Sequence, residues 1–508
     1  MKNYIRTLLP TGKKLLTDGT ICLSLFSSVA VAQKAKTVDK RPNIVIILAD
    51  DIGFGDFGCY GATKVKTPNV DNLARKGVQF SGACAPASTC TPSRYSLLTG
   101  EYAWRKNVGI LQGDAPITIK PGSLTMPSML QKQGYVTGCI GKWHLGLGNG
   151  NVDFNKEVRP SPNDVGFNYS FILPATGDRV PCVYLENSRV VGLDPNDPIK
   201  VSYTQKVGND PTGKEHPELL KMKYSKGHDQ TIVNGISRIG YMTGGNSARW
   251  KDEDLAEVIT GKAVDFIKEH ADKPFFLYFA THDIHVPRVP SARFRGSSQC
   301  GVRGDVIQQF DWSVGEVLNT LKALHLDENT IVIVTSDNGP IIDDGYADGA
   351  VENLNGHRAA GMFRGFKYSL YEGGTRVPFI ISWPKVIKPG TSDVPFPFID
   401  LFASFAELSQ YKLKSHEAID SHDALSILLG KDHKPYRDYV LIQNNNGELA
   451  VKKGDWKLIP VESKTSKMDQ LYNLKKDIGE TTNLADQEKE EVEALRKIIT
   501  DIKSTVKN

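Results

Sequence analysis

The sequence predicts an α/β protein, a doubly wound and mostly parallel sheet flanked by helices, with a smaller C-terminal α+β subdomain. Three observations carry this expectation. First, segments 43–48, 135–140, 275–279 and 330–334 are continuously apolar and rich in β-branched or aromatic residues. Hydrophobicity without alternation marks strands covered on both faces, as in a parallel sheet. Second, helical patterns lie between them. Thr67-Pro68 starts one helix, which stops at Gly77, and 254–270 and 306–324 place apolar residues at helical spacing. Third, each strand runs directly into a polar cluster. The clusters are Asp50-Asp51, Gly141-Lys142-Trp143-His144, Thr281-His282-Asp283-Ile284-His285 and Ser336-Asp337-Asn338-Gly339. Ligands of such sheets bind at the carboxyl ends of the strands, so the four clusters define one candidate rim.

The remaining segments are read in chain order. Residues 1–32 read as an export signal, with Lys2, Arg6, Lys13 and Lys14 ahead of an apolar stretch and Ala30-Val31-Ala32 as a cleavage site. Cys22 lies in this stretch without a convincing lipoprotein box, and no segment is apolar for long enough to span a bilayer. The expected location is therefore periplasmic or secreted. The region 33–384 reads as the catalytic domain. Within it, 150–250 is rich in Asn, Asp, Pro and Gly and reads as a long loop-bearing excursion, and 339–363 as a second functional loop. In 385–508 the rhythm weakens, with short strands at 439–442 and 456–459 and a terminal helix over 490–507.

Charge and cysteine usage exclude some classes. The 62 Lys and Arg nearly balance the 58 Asp and Glu, which gives nucleic-acid binding no support. Seven cysteines without paired spacing form neither a disulfide framework nor a zinc site. Asp50, Asp51, Asp337 and Asn338 instead offer hard oxygen donors from two strand ends, which suits calcium or magnesium.

The run from Cys90 through Pro92-Ser93-Arg94 to Leu98-Thr99-Gly100 resembles the maturation signature of the type I sulfatases. Gly134-Tyr135 through Lys142-Trp143-His144-Leu145-Gly146 resembles that family's second signature, and Lys367 ahead of Tyr371-Glu372-Gly373-Gly374-Thr375-Arg376 its later lysine and turn. The resemblance spans roughly 42–385 and implies an alkaline-phosphatase-like fold and a chemistry. A maturation enzyme would convert Cys90 to formylglycine (3-oxoalanine), whose hydrate attacks sulfur with one hydroxyl and expels sulfate by collapse of the other. Asp50, Asp51, Asp337, Asn338 and residue 90 would hold a divalent cation, commonly Ca2+ with Mg2+ as the alternative. Arg94 would fix the hydrated aldehyde, Lys142 and Lys367 would contact sulfate, and His144 would assist the collapse. His285, two residues before Pro287, would protonate the leaving alcohol, with His282 as a supporting or sugar-facing neighbour.

The resemblance extends to bacterial carbohydrate sulfatases acting on 6-sulfated galactose or N-acetylgalactosamine. There Asp178, Arg179 and His228 would read sugar hydroxyls, the axial O4 among them. Two alternatives remain at this stage: a phosphonate or phosphate-ester hydrolase of the same superfamily, or an unmodified sulfated-glycan-binding protein.

Overall fold

The strand Asn43–Ala49 (β1) is buried along its whole length and occupies the middle of a ten-stranded sheet. The other strands are Val78–Phe80 (β2), Val136–Lys142 (β3), Tyr169–Leu173 (β4), Leu185–Glu186 (β5), Arg189–Val190 (β6), Phe275–Ala280 (β7), Thr330–Ser336 (β8), Phe379–Ser382 (β9) and Gly390–Ser392 (β10). Their spatial order is β10-β2-β9-β8-β1-β7-β3-β4-β5-β6. The computed structural model describes residues 41–461 and 468–505, so the segment read as an export signal, with Cys22, lies outside the described residues.

β8, β1, β7, β3 and β4 run parallel, with Ile46 opposite both Tyr278 and Ile333. β9 and the β5–β6 hairpin run antiparallel. Successive side chains of a strand point to opposite faces, and β1 shows what that does here. Val45 and Ile47 pack with Val70 and Leu73 of helix α1 (Pro68–Lys76). Ile44, Ile46 and Leu48 enter the opposite core with Leu97 and Leu98 of α2 (Cys90–Thr99) and Met129 and Leu130 of α3 (Met126–Lys132). The first face is completed by α4 (Leu255–Glu269) and α5 (Gly301–Ala323), and the second by α6 (Leu401–Leu408).

Three features differ from the sequence expectations. Tyr169–Leu173 lies in the segment read as loop, yet it is a main-sheet strand pairing in parallel with β3. It is only five residues long and flanked by turn residues, so it offers too short a window for periodicity. β2 and β9 were hidden by the same brevity. The main sheet also takes β10 from beyond residue 384.

The C-terminal region forms a four-stranded antiparallel sheet of Val440–Gln443 (β11), Leu449–Lys453 (β12), Trp456–Ile459 (β13) and Gln470–Asn473 (β14). The helix Lys489–Ser504 (α7) lays Val492, Leu495 and Ile499 onto it. This sheet grips the rest of the chain through charge. The buried Glu372 carboxylate meets Lys457 at 3.0 Å and Lys452 at 3.3 Å, and it also pairs with Arg376. A second grip is backbone, with Ser88 N–H donating to Gln443 O at 2.8 Å. Among the described residues no helix is long and apolar enough to cross a membrane, and every cysteine is a free thiol.

Candidate active site

The carboxyl ends of β1, β3, β7 and β8 bring their polar clusters to one buried rim. Asp50 and Asp51 follow β1, and Asp337 and Asn338 follow β8; all four are fully buried. Lys142 ends β3, which packs so closely on β7 that Gly141 is required. A Cβ there would lie 1.9 Å from Ala280 O. Cys90 is the first residue of α2, where unpaired backbone N–H groups and the helix dipole favour negative charge.

Two lysines neutralise the acids. Lys142 Nζ donates to Asp50 Oδ2 at 2.5 Å, and Lys367 Nζ to Asp51 Oδ2 at 2.9 Å. The guanidinium of Arg94 donates to Asp337 Oδ2 at 2.8 Å and to the Lys142 carbonyl at 3.0 Å. It thereby ties α2 to β8 and β3. Burial, then Asp337, lifts the Asp50 carboxyl to about 8. Burial likewise raises Asp51, against Lys367.

These acids fit a divalent cation. Asn338 spends both amide hydrogens, on Asp51 Oδ1 at 2.7 Å and Gly339 O at 2.8 Å. Its Oδ1 and the Oδ1 of Asp50 are buried oxygens with no hydrogen-bond partner. Buried acceptors are ordinarily satisfied, and two orphan oxygens beside further carboxylates are what a hard cation takes as ligands. Ligand atoms of Asp50, Asp51 and His285 lie within 4.8 Å of one another.

Two of the histidines have defined proton positions. His144 Nε2 faces Leu111 O at 2.9 Å, so it carries the proton and leaves the Nδ1 lone pair toward Cys90 Sγ, 3.3 Å away. Burial and Lys142 hold His144 well below its usual range, as a neutral imidazole. His285 Nδ1 donates to Val286 O at 2.8 Å, and its Nε2 lies 3.8 Å from both Asp51 and Asp344. Burial, then Lys367 and Lys142, depress it as well. An anionic ester at this point would oppose those cations and favour the imidazolium. His282 is buried without a partner on either nitrogen, and burial and Lys142 depress it to about 4.

Beside His285 lies a second group of charges. Asp178 accepts from Arg179 Nη1 at 2.9 Å on both oxygens, and His228 Nε2 is 3.0 Å from its Oδ2. Thr176 Oγ1 also donates to Asp178 and sits 3.4 Å from His285 Nδ1. Burial works against ionisation of Asp178, but Arg179 and His228 hold it well below the usual carboxylate range. The fully buried Arg238 anchors this segment by donating to Gly177 O at 2.7 Å.

Asp344 was missed by sequence reasoning. It accepts from Lys367 Nζ at 2.9 Å and from the Tyr368 hydroxyl at 2.9 Å. No spacing singles it out among the acids of the 339–363 loop. Asp51 (φ 64°), His144 (φ 53°) and Tyr368 (φ 75°) all adopt left-handed backbone. That conformation is unfavourable without glycine and concentrates at functional sites.

The fold and this rim belong to one class, and the comparisons agree: a sulfatase family model matches residues 42–411, and the chain belongs to the sulfatase family. It is a sulfatase enzyme. Among its relatives is an N-acetylgalactosamine-6-O-sulfatase of Bacteroides thetaiotaomicron, 53% identical, with 92% of this chain and 94% of that protein covered. Human steryl-sulfatase is 31% identical, over 79% of this chain and 72% of that one. A solved structure from work on the metabolism of multiple glycosaminoglycans by Bacteroides thetaiotaomicron superposes with a TM-score of 0.89. It is 53% identical and covers 92% of this chain and 100% of its own. A sulfatase from Pseudoalteromonas shares the fold, with a TM-score of 0.67 at 23% identity and 92% and 90% coverage.

Proposed function

We propose that this sulfatase removes 6-O-sulfate from N-acetylgalactosamine or galactose residues of glycans, acting on terminal sugars. The class of sugar rests on one observation, the buried Asp178–Arg179–His228 group within reach of His285. A carboxylate clamped between two donors matches the paired hydroxyls of a sugar ring, and the 53% identical relative carries a name for that substrate.

Cys90 is read as the residue converted by a maturation enzyme to formylglycine. Asp50, Asp51, Asp337 and Asn338 would hold the cation, Ca2+ by the family's common usage with Mg2+ as the alternative, both being hard ions that take oxygen donors. When bound, the cation supplies Lewis-acid polarisation of the sulfate. Lys142 and Lys367 place two fixed positive charges where the sulfate oxygens gather negative charge. His144 accepts a proton at Nδ1 from residue 90. His285 delivers one from Nε2 to the departing alcohol, which is needed because an alkoxide is a poor leaving group. The N-terminal pattern supports export to the periplasm or beyond.

The test is sulfate release by the matured protein from 6-sulfated N-acetylgalactosamine, its 4-sulfated isomer and an aryl phosphate. Release from the 6-sulfate at a kcat/KM well above the other two is expected. Faster phosphate release would overturn the reaction class, and preference for the 4-sulfate would overturn the position.

A further inference from the structure

The proton on His144 Nε2 is held by one contact, the Leu111 carbonyl at 2.9 Å, and that carbonyl belongs to a surface loop, residues 107–115. Gln112 is exposed there, and Gly109, Ile110 and Leu111 are half-exposed. Surface loops are ordinarily mobile. Which nitrogen of an imidazole carries the proton is set by the hydrogen bond its other nitrogen makes. The aim of the Nδ1 lone pair at residue 90 therefore depends on how firmly Leu111 is seated.

One side chain supplies that seat. Among the described residues, the backbone of 109–114 reaches beyond the loop through two hydrogen bonds. These are Leu111 O with His144, and Gly113 N with the Tyr203 hydroxyl at 2.9 Å. The Tyr203 oxygen accepts from Gly113 while its O–H donates to Val180 O. Gly113 is pressed against the same groups: a Cβ there would lie 2.1 Å from Val180 O and 2.8 Å from the Tyr203 hydroxyl. Tyr203 itself follows the short strand Lys200–Ser202, which pairs antiparallel with Tyr241–Thr243. Its ring packs on Gly240, where a Cβ would lie 2.9 Å from it, and Val180 N donates to Ile239 O at 3.1 Å. The contacts run without a break from Ile239 through Val180, Tyr203, Gly113 and Leu111 to His144, whose Nδ1 is 3.3 Å from Cys90 Sγ.

We infer that Tyr203 is a positioning residue of the reaction: through the 111–113 turn it holds the Leu111 carbonyl on His144 and so keeps Nδ1 aimed at residue 90. The inference rests on the reading above, in which His144 takes a proton from residue 90. The long excursion then does more than face the sugar, because its Tyr203 also sets the geometry of the base.

The experiment compares the matured full-length protein with Y203F, G113A and H144A, by two readouts. In protein carrying isotope-labelled histidine, the nitrogen NMR signals missing from H144A belong to His144. The parent is expected to show the Nε2–H tautomer alone, and Y203F and G113A a mixture with the Nδ1–H form. The second readout is turnover of p-nitrophenyl sulfate, which carries no sugar. His144 acts after the alcohol has left, so a slower His144 step lowers kcat and KM together and leaves kcat/KM unchanged. Loss of one hydrogen bond should lower kcat and KM in Y203F and G113A by about fivefold each, with the same pattern and a larger fall in H144A. Misfolding does not mimic this, since fewer active molecules lower kcat and leave KM alone. An unchanged tautomer in both variants, or a kcat/KM that falls in step with kcat, would overturn the role of Tyr203 while H144A keeps its pattern. An H144A variant without that pattern would overturn the reading of His144 and the inference with it.

Discussion

Replacing Asp178 by Ala separates sugar recognition from sulfate chemistry. The carboxylate is buried, accepts two 2.9 Å contacts from Arg179 and lies 3.0 Å from His228 Nε2. A hydrogen bond to such a charged group contributes about 1.5–3 kcal/mol, so its loss to a sugar hydroxyl lowers kcat/KM about 10- to 150-fold. Leaving Arg179 without its partner also destabilises the fold, on the order of 3–5 kcal/mol for a buried pair. The assay therefore begins with a thermal melt that sets a temperature at which the variant is folded. Three 6-O- or aryl sulfates are then compared: the galacto sugar, its gluco epimer and p-nitrophenyl sulfate. Asp178 also faces His285 through Thr176, so a loss on sugars alone could reflect proton delivery. The epimer controls for this, because both sugars depart as alcohols that need the same proton. The expected result is a galacto-to-gluco ratio that falls toward one, with aryl sulfate turnover within about threefold of the parent. Equal losses on all three substrates would refute the assignment of Asp178 to sugar recognition.

Four further outcomes are expected. K367A lowers kcat on the sugar sulfate about 10²- to 10³-fold, as removal of a transition-state charge partner does. D344N, which only loosens the lysine's seat, costs about tenfold, and steady-state kinetics of the two variants check the order. Asp56 is bound by Arg303 at 2.6 and 2.7 Å and by His357 at 2.7 Å, and these partners outweigh burial to hold its carboxyl down at about 2. A depressed acid stabilises above its unfolded value near 4 and loses that contribution as pH falls through the folded value. The Tm gap between the parent and D56N should be full above pH 4 and close toward pH 2, an effect of about 2 kcal/mol. E372Q strips the shared partner of Lys452, Lys457 and Arg376, so its loss should appear in Tm and in limited proteolysis of the C-terminal sheet far more than in KM.

Legibility in the sequence followed the length of the physical signal. β1, β3, β7 and β8 were readable because strands covered on both faces are apolar throughout, and their chain order placed four polar clusters on one rim. Cys90, Lys142, Lys367 and the acids stood out because they lie in dense motifs. β4 and β9 were invisible because strands of five and four residues carry no period, and their pairing is decided by neighbours far away in the chain. Asp344 had no local mark at all. Its role beside Lys367 and Tyr368 arises from how the 339–363 loop folds back, with Arg288 gripping Asp348 at 2.8 Å and His357 gripping Asp56. Asp178 and Arg179 were legible as a pair, but the burial of Arg238 and Asp252 that braces them at Gly177 was not.

The central claim is that residue 90 is a modified nucleophile working with a cation held by Asp50, Asp51, Asp337 and Asn338. Mass spectrometry of the peptide spanning residue 90, paired with sulfate release before and after chelation, tests it most directly. The expected result is the aldehyde or its hydrate at residue 90, with release lost on chelation and restored by Ca2+. Full sulfate release from protein carrying only the unmodified Cys90 thiol, or release indifferent to chelation, would contradict it.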